Sequence, residues 1–166
     1  MPLIDRRAAL LGLAAAAIAL RAATGSVAPA SAQAPKIPAE PEIEMLIKQS
    51  LLTLNDANLT GNYAVMHARM APKLRTQFTA EQVKAAFRDF ADQRVDFALI
   101  VTQKPILSEP ARFDAEGALV LVGRFDTRPS RVVFSLRMLT LDGRWSILGI
   151  NVNTTAADAG KAAGKM

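Results

Sequence analysis

The sequence predicts an α+β domain: three N-terminal helices packed on a curved antiparallel sheet of about four strands. Three observations carry this reading. Apolar residues recur at helical spacing up to about position 92 and at alternate positions from Val95 onward, so the chain changes period once. Thr79-Ala-Glu-Gln82 has the form of a capping box at the start of the last helix. Asp142-Gly143, between two alternating runs, is the two-residue signature of a tight hairpin.

Residues 1–32 read as a cleaved export signal. Asp5-Arg6-Arg7 leads into AALLGLAAAAIAL, an apolar run too short to span a bilayer with ease, and Ala30-Ser31-Ala32 is an A-x-A cleavage site. RRAALLG resembles the twin-arginine export motif, with Arg6 and Arg7 ahead of an apolar pair and Arg21 behind a weakly apolar core. Paired arginines also occur in general secretory signals, so that route stays open. The expected destination is the periplasm, as a soluble protein with no membrane attachment after cleavage. Residues 33–40 form a Pro-rich linker, 41–153 a single domain, and 154–166 a small, polar tail expected to fray.

Within the domain, Ile43, Leu46, Ile47, Leu51 and Leu54 mark a helix from about Pro41 to Asn58. Pro41 suits its first turn, and Glu42 and Glu44 suit the positive end of its dipole. Gly61 breaks it. A second helix covers about Asn62 to Met70, with Tyr63, Met66 and Met70 on one face, and Pro72 opens a short turn through Leu74 and Phe78. The third runs from Thr79 to about Asp92 and buries Val83, Phe87 and Phe90. Strands are expected at Val95–Thr102, Ala118–Asp126, Arg131–Leu141 and Arg144–Asn153.

The turns set a register. Pairing Leu141 with Arg144 places Thr140 opposite Trp145, Met138 opposite Ile147, Leu136 opposite Gly149 and Phe134 opposite Asn151. Pairing Phe125 with Val132 across Thr127–Ser130 places Gly123 opposite Phe134. One face then holds Leu119, Leu121, Phe125, Val132, Phe134, Leu136, Met138, Trp145 and Ile147, the core under the helices. The other holds Val120, Val122, Val133, Leu139, Leu148, Ile150 and Val152, interrupted by Arg124, Ser135, Arg137 and Ser146. That is too apolar for a solvated face, and it predicts a homodimer through the outer sheet face, with another protein as the alternative occupant.

Composition removes several functions. The chain has no Cys, which excludes a thiolate nucleophile, a disulfide, an iron–sulfur site and a lipid-anchor cysteine. Its formal charge is +5, and removing Arg6, Arg7, Arg21 and Asp5 (three positive, one negative) leaves +3, scattered along the chain. Nucleic-acid binding needs a concentrated basic stripe, so it is not expected. One His and no paired-carboxylate motif leave no standard metal set, and no cofactor motif appears.

The sole Tyr and sole His, Tyr63 and His67, sit four residues apart on one helical face. Such a pair moves a proton at a pocket mouth, or is a packing Tyr beside a partly exposed His. Gly123 and Gly149, beside Phe134 and Leu136, leave a notch for a ligand or permit a bend, and the bend is favoured. Asn151, polar on the core face, orients a ligand or marks the open end of the sheet. The candidate ligand contacts are Tyr63, His67, Phe134, Trp145 and Asn151, and no residue is assigned a catalytic role.

Three helices ahead of a curved sheet, Gly61-Asn62-Tyr63 at the turn into the second helix, the Thr79 cap and Gly143-Arg-Trp145-Ser-Ile-Leu-Gly149 together resemble the nuclear-transport-factor-2-like superfamily, which includes ketosteroid isomerase and scytalone dehydratase. The resemblance spans about Pro41 to Asn153. It implies a cone-shaped, cystatin-like roll with a pocket between helices and sheet, and dimerisation through the sheet. The superfamily holds enzymes, ligand binders and dimerisation modules, so fold alone selects none of them. Isomerase-like members imply an Asp base with Tyr and protonated Asp donors, and dehydratase-like members a His–Asp arrangement. Here the expected core face carries no carboxylate, and His67 is the only His. The expected function is a non-enzymatic periplasmic domain that binds a small apolar ligand or acts as a dimeric accessory module. The alternative is a cofactor-free isomerase or dehydratase with Tyr63 and His67 in polar roles.

Overall fold

Helix α1 (Glu40–Thr60) opens the part of the chain, residues 36–156, that the computed structural model describes. It buries the stripe Ile43, Leu46, Ile47, Leu51 and Leu54 that its spacing requires. Four short helices follow, α2 (Ala64–Ala68), α3 (Pro72–Gln77), α4 (Ala80–Ala86) and α5 (Arg88–Asp92). The capping box at the start of α4 is complete: the Gln82 amide donates to Thr79 Oγ1 at 3.2 Å and the Thr79 amide to Gln82 Oε1 at 2.8 Å. The helix expected to reach Asp92 is divided at Phe87, whose φ of −109° and ψ of 18° leave the helical region. Rings stack edge to face across the break, Phe87 on Phe90 and Phe90 on Phe97, with centroids 6.4 and 6.3 Å apart.

The sheet is a meander of β3 (Leu119–Phe125), β4 (Ser130–Leu141) and β5 (Arg144–Ala156). Two short strands, β1 (Ile106–Leu107) and β2 (Arg112–Phe113), pair in succession along the outer edge of β3, so the order is β1 or β2, β3, β4, β5, all antiparallel. Its core face carries Leu119, Leu121, Phe125, Phe134 and Leu136, fully buried against Leu46, Leu51, Leu54 and Met66 of the helices. The architecture is α+β with an open antiparallel sheet. No helix among the described residues is long and apolar enough to cross a membrane. The segment expected to be an export signal, with Arg6, Arg7, Ala30 and Ala32, lies outside the described residues, as do residues 157–166.

The structure corrects two further expectations. Val95–Thr102 is not a strand, because Ala98–Thr102 is a 3₁₀ helix. The amides a strand would offer to a neighbour are taken by side chains. Asn55, buried on α1, accepts from the Phe97 amide at 2.9 Å and donates to Asp96 Oδ1 at 3.0 Å, and the same oxygen accepts from the Ala98 amide. Phe97 and Ile100 are buried three residues apart, a 3₁₀ spacing.

The second correction is the register of β4 and β5. The turn is as expected, with Asp142 and Gly143 at φ of 50° and 71°, and Met138 pairs with Ile147. The next pair is Arg137 with Gly149, so Leu148 is an extra residue in a β-bulge. Beyond it Leu136 faces Ile150, not Gly149, and Phe134 faces Val152, not Asn151. Ile150 and Val152 therefore join the core side, and Gly149 and Asn151 move to the outer face. Beside the bulge, the Ile147 amide donates to the Arg69 carbonyl at 2.9 Å and its carbonyl accepts from the Ala71 amide at 2.8 Å. A bulge bends and twists its strand, which here lets β5 serve both β4 and the Arg69–Ala71 segment.

The two sheet glycines have separate explanations. A Cβ at Gly123 falls 2.4 Å from the Ile106 carbonyl oxygen and 3.0 Å from Phe134 Cζ, so β1 and the Phe134 ring already fill that space. A Cβ at Gly149 meets only the Arg137 stem, no closer than 3.5 Å. Gly123→Ala is expected to destabilise by about 1–3 kcal/mol by forcing β1 away. Gly149→Ala should stay within about 0.5 kcal/mol. Chemical denaturation of the two variants beside the parent chain checks the contrast.

Candidate functional site

The five residues expected to line a pocket do not converge. Tyr63 is buried at the start of α2 and its hydroxyl donates to Asn58 Oδ1, also buried. Burial pushes the phenol above its ordinary pKa. His67 points elsewhere: Nε2 lies 2.7 Å from the Phe78 carbonyl oxygen and ties α2 to the residue that follows α3. The i, i+4 pair is thus two separate tertiary bonds. Phe134 is closed in the core with its ring centroid 5.7 Å from that of Phe125. Asn151, moved by the bulge, is exposed opposite Ser135, on the face away from the helices.

Trp145 alone stands in a cleft. Half-buried at the start of β5, it donates from Nε1 to Glu42 Oε1 at 3.0 Å, so α1 orients the indole. Its cleft, about 600 Å³, lies between the β4–β5 hairpin, the Arg69–Met70 segment and α3. Arg69, Arg75, Arg144, Asp142, Gln49 and Ser146 line it together with Trp145. Of these, the sequence reading names Trp145 as a candidate and none of the arginines. Arg69 and Arg75 lie far from Arg144 in sequence, and the bridge at Ile147 that joins their segment to the β5 strand has no local signature.

A second feature is the outer sheet face. Val122, Val133, Leu139 and Leu148 remain half-buried there, and a groove of about 570 Å³ runs over Leu139, Leu141 and Leu148. Ala71, Pro72, Lys73 and Glu116 complete its lining. The face is less apolar than expected, because the bulge replaces Ile150 and Val152 with Gly149 and Asn151. Arg137 also crosses it, donating to Asp114 Oδ2 from Nε at 2.9 Å and Nη2 at 2.6 Å, and to Glu116 Oε2 at 3.2 Å. This fork clamps the β2–β3 turn onto β4. The Arg137 hydrogen bond, helped by the Ala118 and Glu116 amides, holds the Asp114 carboxyl below its ordinary pKa. Among the described residues no three metal-ligating side chains come together.

Compared with known proteins, the chain matches no family model, no curated protein and no solved structure. The reading of these two surfaces therefore rests on their own chemistry.

Tyr63→Phe leaves Asn58 without its donor, beside an Asn58 Nδ2 already buried without a partner. It is expected to cost about 1–3 kcal/mol in urea unfolding, with no change at the Trp145 cleft. For Asp114, a lowered folded pKa means stability that is present above the unfolded-state value and lost as pH falls through the folded one. Thermal melts should therefore show Asp114→Asn less stable than the parent at about pH 6, with the gap closing toward about pH 3.

Proposed function

We propose that the chain is a non-enzymatic accessory domain, exported to the periplasm, that works as a homodimer through its outer sheet face. The observation that carries this is the groove over Leu139, Leu141 and Leu148, apolar on its floor and bordered by charges of opposite sign. A two-fold pair uses one patch twice, so the patch must complement itself. Lys73 of one copy can face Glu116 of the other while the leucines meet between them. The half-exposed Val122 and Val133 extend the apolar strip along the same face. Export is supported by Arg6, Arg7 and the Ala30-Ser31-Ala32 site. The helix-then-sheet order supports a cone-like roll of the nuclear-transport-factor-2-like kind.

The sheet face is a better basis for function than an apolar ligand between helices and sheet, since Phe134 is closed in and Asn151 lies outside. No observation favours the isomerase or dehydratase reading, because Tyr63 and His67 diverge. Sedimentation velocity is expected to give a dimer for the parent chain and a monomer for Leu148→Glu. Lys73→Glu and Glu116→Lys should each weaken the dimer, and their combination should restore it. A parent chain that stays monomeric at high concentration would sink the proposal.

A further inference from the structure

The cleft beside Trp145 gathers more cations than carboxylates. On the sheet and its edge, Arg112, Arg124, Arg131 and Arg137 each pair with a carboxylate. Arg69, Arg75 and Arg144 line one cleft, and none of them forms an ion pair among the described residues. Asp142 is the carboxylate in that lining, and Glu42 is bound to the Trp145 ring nitrogen. Three arginines against one carboxylate leave the lining with an excess of positive charge, and a concave surface with such an excess draws in the opposite sign.

Local structure fixes the backbone of the cleft and its indole. The Arg69 carbonyl accepts from the Ile147 amide at 2.9 Å, which fixes Arg69 against the strand that carries Arg144 and Trp145. Glu42 sets the indole from the other side. Uncharged hydrogen-bonding groups, Gln49 and Ser146, lie in the same lining, and Met70 adds apolar surface.

We infer that this cleft binds a small organic acid, a carboxylate on a short apolar body. Guanidinium forks match the two carboxylate oxygens, which a neutral ligand cannot offer. Ser146 and Gln49 supply further polar contacts, and Trp145 with Met70 receives the apolar body, the usual division of labour in a small-ligand site. The inference does not rest on the dimer: the two linings share Pro72 and Leu141, but none of the arginines, Trp145, Gln49 or Ser146 lines the outer groove.

Trp145 is the only tryptophan in the chain, so its fluorescence reports on the cleft alone. Titration of the full chain with benzoate and with cyclohexanecarboxylate is expected to give a saturable change. Neutral benzamide should give none, and added salt should weaken the response. Arg69→Gln and Arg144→Gln should each lower affinity about tenfold, the scale of one hydrogen bond to a charged group. Arg88→Gln, outside the cleft, should leave it unchanged. The inference is overturned by the absence of a saturable change, by an equal response to benzamide, or by unaltered affinity in the Arg69/Arg144 double variant. A response to phosphatidylglycerol vesicles in place of the free acids also overturns it, in favour of a membrane surface. The salt and benzamide arms use the unmodified chain and decide the matter even if a variant fails to fold.

Discussion

Ile147 is held from two sides, and most of what distinguishes this fold follows from that. Its side chain is buried under the helices, opposite Met138 of β4. Its backbone amide and carbonyl turn the other way and bind Arg69 and Ala71. A buried backbone group without a partner is costly, so the Arg69–Ala71 segment is pinned to β5 as firmly as a strand would be. That pin sets where α3 begins, brings Arg69 to Arg144, and adjoins the extra residue that re-aims the rest of β5. Both the cleft and the outer groove lie next to it, and both include Pro72 and Leu141 in their walls.

The helical side is organised by buried amides rather than by apolar packing alone. Asn55 binds residues more than forty positions away, at the turn where the chain leaves the helices for the sheet. Asn58 accepts from Tyr63 across the break between α1 and α2. Each bond lies in low dielectric, where it is strong when made and expensive when lost. These polar groups serve as joints between helices, which explains why the rare Tyr and His of the chain sit near one another without forming a reactive pair.

What was legible in the sequence was whatever is specified nearby. Helix α1 is written in its own apolar stripe, the Thr79 cap in four residues, and the β4–β5 turn in two. The two-residue strands β1 and β2 were not foreseen, since so short a run shows no alternation. The 3₁₀ segment was misread because Val95, Phe97 and Leu99 alternate like a strand, while the partner that forbids one, Asn55, lies on another helix. The bulge was invisible for a related reason. Counting back from a turn assumes that each residue on one strand meets one on the other, and Leu148 breaks that count where Arg69–Ala71 attaches. One uncounted residue moved Asn151 from the core face to the surface and Val152 the other way. The candidate residues separate accordingly: Trp145, close to the turn, keeps its expected pairing with Thr140, whereas Asn151 lies beyond the slip and Phe134 is enclosed by packing.

The bulge also bears on how the protein behaves in a crowd. β5 ends the sheet, and past Ile147 its outer side has no neighbouring strand among the described residues. A straight, apolar terminal strand is a template onto which other chains add, the first step toward fibres. Here the strand is kinked at Leu148, and its last turns of pleat present Asn151, Asn153 and Thr155 to water. An incoming strand would have to match both the kink and a row of polar side chains. The same extra residue that redirects the core therefore leaves the open end of the sheet a poor nucleus for aggregation.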